Sequence, residues 1–364
     1  MTGTTTSLPT GTDLLDGLNS GHLWDLGASR ILTWGVGDFQ YLWEDWQIQS
    51  LNRAFNAWEA VINVDFVYLG YYSNYRDYRP DIMASLVDGS YLNSPSNGQV
   101  RDGAALRPDA VNGASYASGK GYDNYSWAHP EGDLFFNVDS PRFTSVDDNI
   151  INTNGFGPGR YSSEISVADQ LFYTMLHEIG HAIGLKHPHD GQHYGFTTYQ
   201  AADLSALDNR YMSIMSYQGT ALAATPLPLD MYAAQQLYGA STSTNAGDTS
   251  YFLGDDNLVR LIYDVSGIDT IFAGYFSQGL TLTLAGASAS QLGDNTWIHI
   301  PSASIIENAT GSRFDDSLTG NEVGNLLNGN WGNDQLYGRQ GNDTLLGGSG
   351  FDHAYFTGNR SNFT

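Results

Sequence analysis

Apolar residues recur with a helical or strand-like period in a few segments of this chain, separated by long polar stretches without one. Arg30 to Val36 is β-branched and aromatic and predicts a strand, as does Val64 to Leu69. Between them Trp46, Leu51, Phe55, Trp58 and Ile62 keep to helical spacing, which predicts a packing helix over 43–62. A stretch rich in Tyr, Asn, Asp, Gly and Ser then runs from Gly70 to Tyr161, broken by short strand-like pieces at 81–86, 114–117 and 134–138. Loops of that length usually carry function or bind ions.

The strongest helical pattern comes next. With Ile179 set at zero and about 100° per residue, Ala168, Phe172, Met175, Leu176, Ala182 and Ile183 lie within about 60° of it, one apolar stripe that must face a core. His177 and His181 are one turn apart and fall on the opposite face, so their imidazoles should look away from the core into a cleft. Ser166 with Asp169 suits the helix start, and Gly184 stands where a left-handed residue would end the helix. His187 can then return toward the other two. A last helix is predicted over Leu229 to Leu237, ending near Gly239.

Residues 177–187 therefore read H-E-x-x-H-x-x-G-x-x-H. H-E-x-x-H alone also arises on helix surfaces that hold no metal, but the added glycine and third histidine at fixed offsets make the pattern specific. Three neutral imidazoles, His177, His181 and His187, suit zinc, and a coordination position left to water makes such a site catalytic. Zinc lowers the pKa of that water to about 7, so Glu178, directly after the first ligand, can act as its base. The implied reaction is peptide-bond hydrolysis without a covalent intermediate. Ser213-Ile214-Met215-Ser216-Tyr217 supplies the methionine turn that completes the signature, although Met215 taken alone would read as an ordinary core residue. His189 and His193 lack ligand spacing and read as exposed loop residues.

From Ala240 the pattern changes to a nine-residue period. Gly311, Gly320, Gly329, Gly338 and Gly347 open the units, Asp316, Asn325, Asp334, Asp343 and Asp352 take the sixth place, and Leu318, Leu327, Leu336, Leu345 and Ala354 the eighth. The last three units fit a calcium-binding nonapeptide. Glycines allow tight turns, the eighth residue fills a narrow interior, and stacked aspartates with backbone carbonyls offer calcium hard oxygen ligands, here Asp334, Asp343 and Asp352. The first two units are degenerate, with Phe314 and Val323 replacing a glycine and Asn325 an aspartate, so calcium binding there is not expected.

Composition narrows the partners. The 364 residues suffice for two domains, and 39 acidic against 15 basic residues, a net charge of -24, exclude nucleic acid and anionic membrane surfaces. Cysteine is absent, so stability must come from packing or metals. No apolar run reaches the ~18 residues of a membrane span. Met1 to Thr12 has neither basic residues nor an apolar stretch and does not read as a Sec-type signal peptide.

The zinc motif, the methionine turn and the nonapeptides together resemble the serralysin family of secreted bacterial zinc metalloproteases, within the metzincins, over Asp13 to Asp352. The resemblance implies an α/β metzincin zinc-protease domain, a twisted mixed sheet plus catalytic helix, followed by an all-β parallel β-roll. It divides the chain into a propeptide-like leader over 1–20, a catalytic domain over 21–240 and a calcium-binding β-sandwich and roll domain over 241–364. It also assigns Met215 to a hydrophobic floor under the zinc, and Tyr217 to a switchable zinc ligand that stabilises the oxyanion. Asn245, Gly247, Thr249, Asp264, Asp269 and Glu307 align with segments that hold further calcium. Ala114, Ser115 and Tyr116 stand for a substrate-pairing edge strand, or else an ordinary surface strand. Gln218, where relatives carry an aromatic residue, leaves the primed-side pocket open.

The same resemblance implies one catalytic zinc, several structural calcium ions, protein or peptide substrates, a proteinaceous inhibitor, and a monomer. Export would go through a type I exporter that reads a C-terminal signal, so the chain, ending at Thr364 where relatives continue, reads as truncated. The rival readings are a calcium-dependent adhesion module with a structural zinc site, and a zinc hydrolase of a non-peptide bond.

Overall fold

The computed structural model describes residues 18, 20, 23–73, 80–88, 103–105, 132–140, 167–190 and 205–356. They divide into two compact units, one running to residue 220 and taking in 225–241, the other made of 221–224 and the residues from 242.

The first unit contains β1 (Ile31–Gly37), α1 (Asp45–Glu59), β2 (Asp65–Tyr72), β3 (Ile82–Val87), β4 (Gly103–Ala105), β5 (Leu134–Asn137), α2 (Val167–Ala182) and α3 (Pro228–Tyr238). Its sheet has the order β2-β1-β3-β5-β4, with β1, β2, β3 and β5 parallel and β4 antiparallel at the edge. α1 buries Leu51, Ala54, Phe55 and Trp58, as its spacing requires. Trp34 of β1 stacks on Phe55 at 4.6 Å, and the Trp58 indole N–H donates to Leu176 O at 3.0 Å, which ties α1 to α2.

α1 stops before the expected residue 62. Val61 and Ile62 are β-branched, and Ile62 leaves the helix to form an isolated antiparallel bridge with Ala240. β4 was not foreseen, because Gly-Ala-Ala carries no alternation to read. The edge-strand candidate Ala114-Ser115-Tyr116 lies outside the described residues.

The second unit holds two parallel sheets of three-residue strands. One contains Thr281–Thr283, Ser317–Thr319, Gln335–Tyr337 and His353–Tyr355; the other contains Ser250–Phe252, Thr270–Phe272, Asn308–Thr310, Leu326–Asn328 and Thr344–Leu346. Successive nonapeptides go to opposite sheets, so two of them make one turn of a roll, and Leu318 pairs with Leu336 and Leu327 with Leu345. Leu318, Leu327 and Leu336 are at most 1% exposed, Leu345 packs half-buried against them, and Ala354 is exposed at the end of the series. The same core continues upstream through Tyr251, Ile271, Leu282 and Ala309, where the sequence shows no nine-residue period. A further mixed sheet joins Leu222–Ala223, Leu258–Leu261, Trp297–Ile300 and Ser288–Gln291. No helix among the described residues is long and apolar enough to cross a membrane.

Candidate metal centre and calcium sites

α2 places the histidines. Met175, Leu176, Ile179, Ala182 and Ile183 are fully buried and form most of the predicted stripe, whereas Phe172 is half-buried with the Arg53 guanidinium 5.1 Å from its ring centroid. The helix ends at Ala182, Gly184 takes a φ of 106°, Gly184 N–H donates to His181 O and Leu185 N–H to Gly180 O, both at 2.9 Å. That double closure is the glycine-terminated turn that lets the chain reverse, and it returns His187 to the helix.

The three rings meet. His187 Nε2 lies 3.2 Å from His177 Nε2 and 3.1 Å from His181 Nε2. Each Nδ1 faces an acceptor instead: Ile214 O at 2.8 Å for His177, Leu185 O at 2.9 Å for His181, and an Asp190 carboxylate oxygen at 3.1 Å for His187. Protons therefore sit on Nδ1, and three Nε2 lone pairs converge on one point. Nitrogens bound ~2.0–2.1 Å from a tetrahedral zinc stand about 3.3 Å apart, so the donor set fits the ion. Burial, and after it the neighbouring His187, lower the His177 pKa to about 3, which keeps this ligand neutral and available.

The His177 and His181 rings lie on the helix face opposite the stripe, yet none of the three histidines is open to solvent. His177, His181 and His187 are 5, 6 and 9% exposed, and Glu178 is equally buried. Tyr217 is exposed, with its ring centroid 4.5 Å from that of His187 and 5.5 Å from that of His177. Met215 is fully buried; a Cβ built on Gly180 would lie 2.6 Å from its Sδ, so the thioether packs against the middle of the ligand helix.

Two supporting residues were missed in the sequence. Asp190 orients His187, and Asp230, fully buried at the start of α3, accepts from Ser213 Oγ at 2.6 Å, Ile214 N at 2.7 Å and Leu227 N at 2.9 Å. Burial pushes the Asp230 carboxyl up to about 7 against these donors. Asp230 thereby fixes the methionine turn, whose Ile214 carbonyl holds His177. No periodicity announces an isolated aspartate in a short helix; its only signal is the preceding Pro228, which marks a helix start. His189, expected to be an exposed loop residue, is exposed; it also stacks on His187 at 5.2 Å and faces Asp208 at 3.6 Å. His193 lies outside the described residues.

The calcium candidates also gather. Asp269 accepts from Thr249 N–H and its own N–H donates to Glu307, both at 2.7 Å, while Tyr251 Oη donates to Asp264. A Cβ on Gly267 would meet Gly247 O at 2.7 Å and the Asp269 carboxylate at 2.8 Å, so these oxygens border one small space. Asn245 takes a φ of 51° and donates to Tyr263 O. In the roll, Asp316 N–H donates to Asp334, Asn325 N–H to Asp343 and Asp334 N–H to Asp352, at 2.9–3.1 Å. A Cβ on Gly329 would lie 2.2 Å from Asp334 Oδ2 and 2.6 Å from Gly347 O, a cradle of oxygens that only glycine leaves open. Asp269 Oδ2 and Asp334 Oδ2 are buried without a hydrogen-bond partner, as oxygens that await a cation would be.

The degenerate units differ. Asp316 is supplied by Leu280 N, Ser312 N and Ser312 Oγ, and the Asn325 amide donates to Glu307 O and Asn321 Oδ1. Protein donors stand there where a cation would otherwise be needed.

A zinc-binding helix with its third ligand beyond a glycine turn, underlain by methionine, defines the class of metzincin-type metal-dependent peptidase domains. Comparison with known proteins makes this specific. The matrixin family profile matches residues 28–213, and the RTX calcium-binding nonapeptide repeat (4 copies) matches 310–345 and 319–354. The chain belongs to the matrixin family, carries a zinc site in its histidine triad, and continues into calcium-binding RTX repeats. Serralysin G of Dickeya chrysanthemi is 30% identical over 300 residues, covering 74% of this chain and 52% of that protein. Metallopeptidase AprA of Pseudomonas marginalis is 33% identical over 227 residues, covering 55% and 42%. Metalloprotease AprA of Pseudomonas entomophila (strain L48) is 36% identical over 173 residues, covering 40% and 36%. The matched part thus spans about half the length of these relatives or less.

Proposed function

We propose that the chain is a secreted, calcium-stabilised zinc endopeptidase that hydrolyses peptide bonds in proteins. The observation that carries the reading is the convergence of three Nε2 atoms, each with its Nδ1 held by an acceptor, beside the buried Glu178. Bound zinc supplies Lewis acidity, lowering the pKa of water to about 7 and polarising the scissile carbonyl. The carboxylate of Glu178 takes the proton from the attacking water and delivers it to the departing amine nitrogen. Tyr217 Oη donates to the developing oxyanion; its exposed ring lies beside His177 and His187. Met215 and Asp230 keep His177 in register. Secretion is supported by the RTX repeats and the serralysin relatives, and on the same resemblance the partners are protein substrates, a type I exporter and a proteinaceous inhibitor.

Glu178→Gln should abolish cleavage of casein while zinc remains stoichiometric. Full activity in that variant refutes the role of Glu178, and an inactive wild-type chain at full zinc and calcium occupancy leaves a calcium-dependent binding module in place of the enzyme.

A further inference from the structure

The last carbonyls of a helix have no partner within it, and in α2 they lie beside the zinc-ligand turn. Trp24 Nε1–H donates to Ala182 O at 2.9 Å. Tyr238 Oη donates to Ile183 O at 2.7 Å and accepts from Trp24 N–H at 3.2 Å. Ser20 N–H donates to Gly184 O at 3.0 Å, and Lys186 N–H donates to Leu18 O at 2.7 Å. Leu18 and Ser20 are fully buried and Trp24 is 7% exposed.

We propose that Leu18, Ser20 and Trp24 together strap the end of α2 and are positioning residues for the zinc ligand His187. His187 directly follows Lys186, and its Nε2 must stay within 3.1–3.2 Å of its two companions. Gly184 and its neighbours turn through a left-handed residue, so without outside support this reversal is the loosest part of the ligand set. Strap bonds reach Ala182, Gly184 and Lys186 directly and Ile183 through Tyr238, while the Leu185 carbonyl holds His181. Moving the strap therefore moves two ligands. The end of the segment expected as a leader thus supports the metal centre: trimming ahead of Leu18 spares the strap, whereas trimming past Ser20 cuts it.

The inference rests on the zinc reading of the triad, and zinc affinity tests it without recourse to proteolysis. Affinity is measured by competition with a chromophoric chelator, and ligand geometry by the visible bands of the cobalt-substituted protein. A chain beginning at Leu18 should bind zinc like the full chain. One beginning at Trp24 should bind about tenfold or more weakly with altered cobalt bands, and Trp24→Phe, which keeps an aromatic side chain but loses the indole donor, about fivefold weaker. Leu51→Val, a core change in α1, serves as a control that lowers the unfolding temperature without touching the strap, and it should leave affinity unchanged. Unchanged affinity in the chain beginning at Trp24, or equal weakening in Leu51→Val, overturns the proposal. If that shortened chain does not fold, Trp24→Phe and Tyr238→Phe decide, and wild-type affinity in both overturns it. A full chain that takes up no zinc instead overturns the reading of the triad.

Discussion

Asp230 has no contact with a reacting atom, yet the geometry of the centre passes through it. Its carboxylate collects hydrogens from Ser213, Ile214 and Leu227 and so fixes the Ile214 carbonyl that orients His177. Asn in its place would turn an amide NH2 toward groups that already donate, leaving at least one buried donor unsatisfied. Asp230→Asn should therefore destabilise the first unit by about 2 kcal/mol or more and weaken zinc binding, read by urea unfolding and chelator competition. Wild-type values in both would remove Asp230 from the support of His177. The side chains that would hold the metal are legible in the sequence because ligand chemistry is restricted to a few residue types at helical offsets. A supporting aspartate is one of many acidic residues, and only its partners distinguish it.

Among the elements, α2 and the roll strands obey periods that can be read directly, 3.6 residues for the helix and nine for the roll. β4 has no period and was missed. The roll also contains a contrast that its sequence only hints at. Asp334 Oδ2 is buried without a partner, whereas the carboxylate of Asp316 and the amide of Asn325 are met by protein groups. Calcium dependence should accordingly be graded along the roll. Asp334→Ala should remove at least one calcium ion from the stoichiometry and lower the calcium-dependent rise in unfolding temperature, whereas Asn325→Ala should leave the stoichiometry unchanged, by isothermal titration. Loss of an ion in Asn325→Ala would contradict the assignment of that unit to hydrogen bonds.

For the molecule as a whole, 39 acidic residues against 15 basic ones make folding a matter of proton and calcium linkage. Burial first, and nearby aspartates after it, raise Asp264 and Asp334 to about 6, while an unfolded Asp titrates near ~3.9. The calcium-free roll then binds more protons folded than unfolded across that interval. The stabilisation is complete below about pH 4 and is lost as pH rises through about 6. With EGTA present, the unfolding temperature of the second unit should fall from about pH 4.5 to 7. With calcium present the trend should reverse, because the ion displaces the protons and binding releases them into solution. A calcium-free transition that rises over the same interval would show that these carboxylates are not the controlling groups.

The order of residues was enough to specify the zinc ligands, the apolar stripe behind them and the nonapeptide register. In each of these a local repeat converts directly into geometry, since helix and roll advance by a constant step per residue. What could not be read are the contacts that close loops of unrelated length. Trp24 meets Ala182 across 158 residues, Asp230 meets Ile214 across 16, and β4 completes an edge that no alternation marks. Such contacts form because folding brings distant donors and acceptors out of water together, and a buried group must then find whichever partner the packing has left beside it. The burial of the histidines belongs here too: the helix period points them away from Ile179, but how far water is excluded depends on what the rest of the chain lays over them.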